Sequence, residues 1–444
     1  MVPYINVAVV ALAAVFLLVN IVPVMIWLER KGSAYIQDRL GPNRAVIPIG
    51  PLKLRLMGMI HTLADVVKLM FKEDIIPGSV HKPYYLLAPI LATLVAFTTF
   101  AVIPFASPDL FINVPGLEDL NFQVLHLDAG VLWILAIATF STFAIMLAGW
   151  ASNNKFALFG SLRAGAQMIS YELTMSLSIV GMLLIVSSLE PQQIVKYQDT
   201  LIASAFPLPR WGIFLQPVAF FLFLTCIFAE TNRSPFDMAE GESEIVAGYH
   251  IEYSSMKFAL FFMAEYVNMA IGSMFLVLIF LGGWSIPFVS TEILLAHPSS
   301  VGVFMGVAGA IPALILAVVF FRLHKRRLVQ PYWKDIRDKE AIFLAVLSFL
   351  HGGLMLGLGA VCLATAGNWP VWLGPSVVAM FQIGFFVLKF MFFMWLFVWV
   401  RWTVPRFRYD QVMALGWKVM LPVAFINVML TALWLAGYDA FIKQ

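Results

Sequence analysis

Hydrophobic residues in this chain come in long uninterrupted runs, not in the short alternating or 3.6-residue patterns of a water-soluble fold. About 20 apolar residues are needed to cross the hydrocarbon core of a bilayer. Ten runs meet that length, at roughly 4–27, 84–106, 129–150, 165–187, 212–230, 256–282, 302–321, 342–364, 376–400 and 419–437. They predict an all-α polytopic membrane bundle. One shorter stretch behaves differently: MIHTLADVVKLMFK (59–72) puts Ile60, Leu63, Val67 and Met70 on one helical face, with Asp65, Lys68 and Lys72 away from it. Too short and too charged to span, it predicts an amphipathic helix lying along the interface or packed under the bundle. The GxxxG spacings Gly302/Gly306 and Gly353/Gly357 predict close helix contacts.

Charge fixes the expected orientation. Alternating the spans from an outside N-terminus assigns 28–83, 151–163, 231–257, 322–341 and 401–418 to the cytoplasm. Those segments hold 24 of the 28 Lys and Arg residues, the bias that sets membrane topology. Both termini are then expected outside a bacterial-type cytoplasmic membrane, with no cleavable signal. Residues 28–83 form one long cytoplasmic loop. The net charge of +3 is too small to suggest a nucleic-acid partner.

Composition narrows the chemistry. Charged residues make up 12% of the chain and hydrophobic ones 61%. The two cysteines, Cys226 and Cys362, sit in apolar runs without metal-ligand spacing, and the seven histidines are scattered. No metal site, haem pair or dinucleotide fingerprint is visible, so a redox cofactor would have to sit on another subunit.

Against that background, Glu230 to Glu265 stands out. It carries seven carboxylates (Glu230, Asp237, Glu240, Glu242, Glu244, Glu252 and Glu265), answered only by Arg233 and Lys257. Crowding and desolvation both favour protonated carboxyls, so this stretch can exchange protons near neutrality. The plainer alternative is a solvated acidic loop. Glu240 and Glu244 share a face if helical, where like charges repel. Glu172 and Glu265 lie about 8 and 9 residues inside their spans, or ~12–14 Å from the helix starts at ~1.5 Å per residue, and intramembrane carboxylates are functional candidates by default. Glu29 and Glu252 are as readily explained by pairing or capping with Arg30, Lys31 or Ser254. Lys389 reads as an interior partner charge, and Arg401 as an interface anchor.

Five segments together carry a resemblance: WLERKGSAYIQDRLGPNR (27–44), LADVVKLMFKEDIIP (63–77), LFGSLRAGAQMISYEL (158–173), FAETNRSPFDMAEGESEIVAGYHIEYSSMKFALFFMAEYVNM (228–269) and VRWTVPRFRYDQVMALGWKVMLPVAFIN (400–427). They resemble the H subunit, or mitochondrial subunit 1, of proton-translocating NADH:quinone oxidoreductase, respiratory complex I, over about 12–290 and 375–437. Two departures stand out. Ala45–Pro51 is longer than the family's short turn, and about 300–372 adds two spans to the family's usual eight, an even number that preserves the orientation of the later spans.

The resemblance implies a subunit at the junction of the hydrophilic and membrane arms that forms much of a quinone tunnel and couples quinone reduction to proton translocation. It implies Arg30, Arg39, Asp65, Arg233, Phe236 and Asp237 as tunnel positions, and Glu172, Glu230, Glu240, Glu242, Glu244 and Glu265 as proton-coupling positions. Quinone is then the substrate, with no cofactor on this chain. Flavin and iron–sulfur clusters belong to partner subunits, the quinone-site and iron–sulfur subunits of the hydrophilic arm docking on the cytoplasmic face beside other membrane-arm subunits. Three alternatives stand beside this one: the anchor subunit of a membrane-bound hydrogenase or other-donor complex, an independent ion transporter, and a purely structural anchor. A transporter fits less well, because no internal repeat or matched pair of broken helices is seen.

Overall fold

The computed structural model describes residues 2–49, 52–112, 114–115, 120–200, 208–237, 248–331, 337–365 and 369–442. It is an all-α membrane bundle. Its helices are α1 (Val2–Ile36), α2 (Ile60–Phe71), α3 (Lys82–Phe100), α4 (Gly130–Ala151), α5 (Lys155–Val186), α6 (Pro191–Gln198), α7 (Gly212–Leu215), α8 (Pro217–Glu230), α9 (Ser255–Phe280), α10 (Thr291–Ala296), α11 (Pro298–Val329), α12 (Arg337–Ala364), α13 (Leu373–Thr403), α14 (Tyr409–Ala414) and α15 (Leu421–Ile442). Strands Ile47–Ile49 and Leu52–Leu54 pair antiparallel around the long Ala45–Pro51 departure.

Among the described residues nine helices are long and apolar enough to cross a membrane. The tenth expected span, 212–230, is broken. Its residues form α7 and the 14-residue α8, because Pro217 has no N–H to continue the ladder and Gln216 leaves helical geometry at φ −136°, ψ 60°. The break is not left bare. Gln216 donates to Thr431 Oγ1 at 2.8 Å and accepts from Asn427 Nδ2 at 2.8 Å, both on α15. Irregular backbone inside a membrane is tolerated where neighbouring side chains supply such polar contacts.

The core sits around α9. Within its most apolar stretch 78% of residues are buried, against 44% or less in the other long helices. It packs on α1, α2, α3, α6, α8 and α13. Large residues on the outer surfaces, such as Leu94, Phe143, Phe304 and Leu388, are exposed as a lipid-facing surface requires.

The glycine expectations divide. A Cβ on Gly306 would meet Gly359 Cα at 2.6 Å, and one on Gly302 would meet Cys362 Sγ at 2.5 Å, so this pair does seat α11 against α12. Gly353 and Gly357 face open space instead. The closely packed glycines on α12 are Gly352 and Gly359, seven residues and therefore about two turns apart. A period of 3.6 lets neighbouring glycines fall on different faces.

Lys389 is neither a loose charge nor a carboxylate partner by contact. Its ammonium donates to the carbonyls of Leu281 (2.6 Å), Gly283 (2.9 Å) and Ser285 (2.7 Å), which follow α9. The Trp211 ring lies 4.3 Å from it. It thus caps the end of the most buried helix with all three of its donors. Near it, Asp199 accepts from Thr291 N (3.0 Å) and Oγ1 (2.8 Å). Burial pushes this carboxyl up to about 6, against the pull of the Thr291 bonds.

Lys389→Met removes the donor to three carbonyls and is expected to destabilise the purified protein by on the order of 3 kcal/mol, read as a lower Tm in detergent. Because the Asp199 carboxyl is held up in the folded state, it binds its proton more tightly there than in the unfolded chain. The stability this confers is present at low pH and declines as pH rises through about 4 to 6. The Tm of the native protein relative to Asp199→Asn should therefore fall across that interval; a constant difference would show that Asp199 is not held as described.

Candidate functional site

The ends of α1, α8 and α13 and the starts of α3, α5 and α9 converge at one end of the bundle, the end that holds most of the cations. The last turns of α1 carry Glu29, Arg30 and Lys31 in succession. Consecutive helical residues point about 100° apart, so the three reach three different elements.

Glu29, 8% exposed, turns inward. It accepts from the Arg401 guanidinium on α13 and from the Tyr266 hydroxyl on α9. Arg233 Nη1 stands 4.0 Å from its Oε2. Arg233 is itself 5% exposed, with Nη2 3.7 Å from Glu265 Oε2 and its guanidinium 4.2 Å from the Tyr266 ring centre. Glu265 also accepts from Tyr249 Oη at 2.8 Å. Two carboxylates and two guanidiniums are thereby gathered inside the bundle, with Arg233 between the two glutamates. Isolated charges at this depth would cost several kcal/mol each; mutual pairing and the tyrosine hydroxyls offset that cost.

The turn after α8 delivers Arg233 to this position. Asn232 takes a left-handed φ of 49°, and the Ser234–Pro235 bond is cis. The fully buried Gln167 of α5 donates to Ala229 O (2.7 Å) and Phe236 O (2.9 Å), pinning both ends of the turn. Phe407 N donates to Pro235 O at 3.2 Å, and the Phe236 ring packs 5.4 Å from both Tyr171 and Phe407. Asp237 pairs with Arg406 at 2.7 Å.

Two further carboxylates sit deeper between the helices. Glu230, the last residue of α8, lines a cavity of about 50 Å³ whose walls are mainly apolar, among them Ile134, Phe223 and Phe275, with Thr99, Ser141, Thr231 and Asn268 as its other polar residues. Glu172 of α5 accepts from the Thr139 hydroxyl of α4, and it is close enough to Glu230 for their charges to interact.

The expected tunnel positions fall into two groups. Arg233, Phe236 and Asp237 are buried at the turn just described. Arg30 and Asp65 pair with one another half-exposed, joining α1 to α2. Arg39 is exposed and bonds Gln37 Oε1 at 2.7 Å. Beside this second group, α2 buries Ile60 but exposes Leu63, Val67, Met70 and Phe71. Its far end is held by Ser255 of α9, whose single hydroxyl proton lies within reach of both Leu69 O (2.9 Å) and Lys72 O (3.1 Å). The expected coupling positions Glu240, Glu242 and Glu244 lie outside the described residues.

Several members of the cluster differ from the sequence expectation. Glu29 pairs across the bundle instead of with Arg30 or Lys31, its immediate neighbours, which a helix directs elsewhere. Arg401 is drawn inward to Glu29 and is not an interface anchor. Glu252 accepts from Asn154 Nδ2 at 2.6 Å, joining the α4–α5 turn to the loop before α9. Tyr249, Tyr266, Gln167 and Arg406 are members that sequence reasoning misses altogether. The usable signal for Arg401 and Arg406 is their position flanking a span that also contains a cation.

Comparison with known proteins matches this architecture to one family. The family model described as NADH dehydrogenase matches residues 8–346 and 339–432, stretches that run through the 300–372 pair of helices. A protein of Bdellovibrio bacteriovorus, named as the H subunit of NADH-quinone oxidoreductase, is 38% identical over 436 residues, covering 95% of this chain and 94% of its own. A Solibacter usitatus protein, named as an H subunit of the same enzyme, is 41% identical, covering 92% and 91%. A Rhodothermus marinus protein named NADH-quinone oxidoreductase subunit 8 is 35% identical, covering 96% of each. With matches of this extent, the chain belongs to the H-subunit family of NADH-quinone oxidoreductase.

Proposed function

We propose that this chain is the membrane subunit of a proton-translocating NADH:quinone oxidoreductase that walls much of the quinone path and couples quinone reduction to proton movement. The observation that carries the reading is the buried Glu29–Arg233–Glu265 arrangement, gathered against the most enclosed helix of the bundle, which contributes Glu265. In this reading the end bearing most of the cations faces the cytoplasm and both termini face outward. The hydrophilic arm, with its flavin and iron–sulfur clusters, docks on that cytoplasmic end, and other membrane-arm subunits pack along the sides.

The division of labour follows from the side chains. Quinone takes up two electrons and two protons to become the quinol. The electrons come from the partner subunits' clusters. This chain contributes groups that hold and pass protons and that answer the change in charge. Arg30, Arg39, Asp65 and the exposed apolar face of α2 frame the approach, while Arg233, Phe236 and Asp237 form the turn nearest the reaction.

Arg233 stands within 4.0 Å of Glu29 and 3.7 Å of Glu265. Negative charge arising nearby, or a proton gained by either glutamate, changes the balance of attraction between them. Glu265 is then the first carboxyl to respond. The cavity at Glu230 and the Thr139-bound Glu172 extend the series of protonatable groups toward the proton-pumping subunits. The carboxylate run Glu240, Glu242 and Glu244 supplies the loop whose charge state couples to quinone.

Neutralising Glu265 or Glu242 to Gln is expected to lower coupled quinone reduction by about tenfold, an effect of ~1.4 kcal/mol on the barrier, in complexes that still assemble. Full coupled activity in both variants would remove these carboxylates from the mechanism. Glu172→Gln should reduce the proton gradient formed per quinone reduced. If activity and gradient both stay at the native level, the chain acts as an anchor alone.

A further inference from the structure

The α11–α12 hairpin reaches the candidate site. Its helices are seated by the Gly306–Gly359 contact, and Val301 packs in one cluster with Val378 and Ala379 of α13. At the start of α12, Glu340 turns back to α1. Lys31 Nζ lies 2.6 Å from Glu340 Oε1, and the Tyr35 hydroxyl donates to the other oxygen. The Lys31 and Glu340 side chains are only 4% and 8% exposed. Lys31 and Tyr35 are four residues apart, so they share a helix face and present two donors to one carboxylate.

We propose that Glu340 is a positioning residue for the ion-pair cluster: by holding Lys31 and Tyr35 it fixes the rotation of α1 about its axis and so aims Glu29 at Arg401, Arg233 and Tyr266. Glu29 lies two residues from Lys31, about 200° around the helix. Pinning one side of α1 to the hairpin therefore presses the opposite side toward α9 and α13. A buried ion pair adds little net stability over a well-packed apolar pair, because desolvation absorbs most of the attraction. What it adds is direction, since two acceptor oxygens and two donors on one helix face admit few rotations. The hairpin's role is then to set geometry at the charges, not merely to cover lipid-facing surface.

The inference rests on the reading of Glu29, Arg233 and Glu265 as a coupling site, and the test separates the two. In purified complex, Glu340→Gln is expected to lower quinone-reductase turnover about three- to tenfold, that is by up to ~1.4 kcal/mol on the barrier. The quinone KM should move less than about twofold, and NADH oxidation by an artificial acceptor should be unchanged. In a Glu29→Gln background the same change should add less than about twofold, because both act through one set of contacts. Should Glu340→Gln fail to assemble, Lys31→Met/Glu340→Leu removes both buried charges together and gives the same turnover measurement. Native turnover in the assembled variant, or effects of Glu340→Gln and Glu29→Gln that multiply, would overturn the assignment. If Glu29→Gln and Glu265→Gln are themselves silent, the coupling reading fails; if they lower turnover and the Glu340 variants do not, only the role of Glu340 falls.

Discussion

An ionised group inside an apolar bundle must find its counter-charge within the bundle, and this requirement shapes the chain more than any other. Glu29, Glu265, Arg233 and Arg401 meet it collectively. Within this group the carboxylates and guanidiniums offset one another, which lowers the cost of holding them away from water. Arg233 nonetheless lies at 3.7–4.0 Å from two carboxylates at once, longer than the closest ion pairs of the chain. A cation at that separation is shared between the two carboxylates. Sharing one cation links the two carboxylates electrostatically, so the charge on either is felt by the other.

The same requirement governs backbone. Where these helices stop or deform, a specific side chain takes over the lost hydrogen bonds. Lys389 serves the carbonyls after α9, Gln216 reaches across to α15 at the α7–α8 break, and Gln167 clamps both ends of the turn that carries Arg233. Tyr171 Oη donates to Val412 O at 2.9 Å, next to the π-helical segment Leu415–Met420. At the turn that carries Arg233, the polar side chain that repairs the backbone also fixes a wall of the site.

Much of this architecture is legible in the order of residues. Uninterrupted apolar runs announce spans because only helices satisfy backbone in lipid, and α2 is recognisable from its one-sided stripe. Other features require three dimensions. Hydropathy registers 212–230 as a single run, and only Pro217 hints at the break. GxxxG spacing marks two small residues on one face without saying which face meets a neighbour, so Gly302/Gly306 and Gly353/Gly357 look alike and behave differently. The Glu29–Arg401 pair joins residues 372 positions apart. At the sequence level Arg401 is one more basic residue at a membrane boundary, where the charge bias that orients the chain hides any that also turn inward. Glu172, Glu230 and Glu265 are visible because nothing apolar disguises a carboxylate within a span.

The three successive contacts of Glu29, Arg30 and Lys31 differ in strength for a physical reason. Glu29 and Lys31 bind their partners in nearly dry surroundings, where attraction is weakly screened and an unpaired charge is costly. Arg30 and Asp65 are each more than two-fifths exposed, where such a pair contributes ~0–1 kcal/mol and is weakened further by salt. Helix α1 is therefore held firmly by the bundle on two sides and lightly by α2 on the third. Helix α2, with its exposed Leu63, Val67 and Met70, meets α1 through the weaker of these charge contacts and α9 through the Ser255 hydroxyl. The charges that hold α1 in place thus lie on the side away from solvent, and salt reaches only the pair on the α2 side.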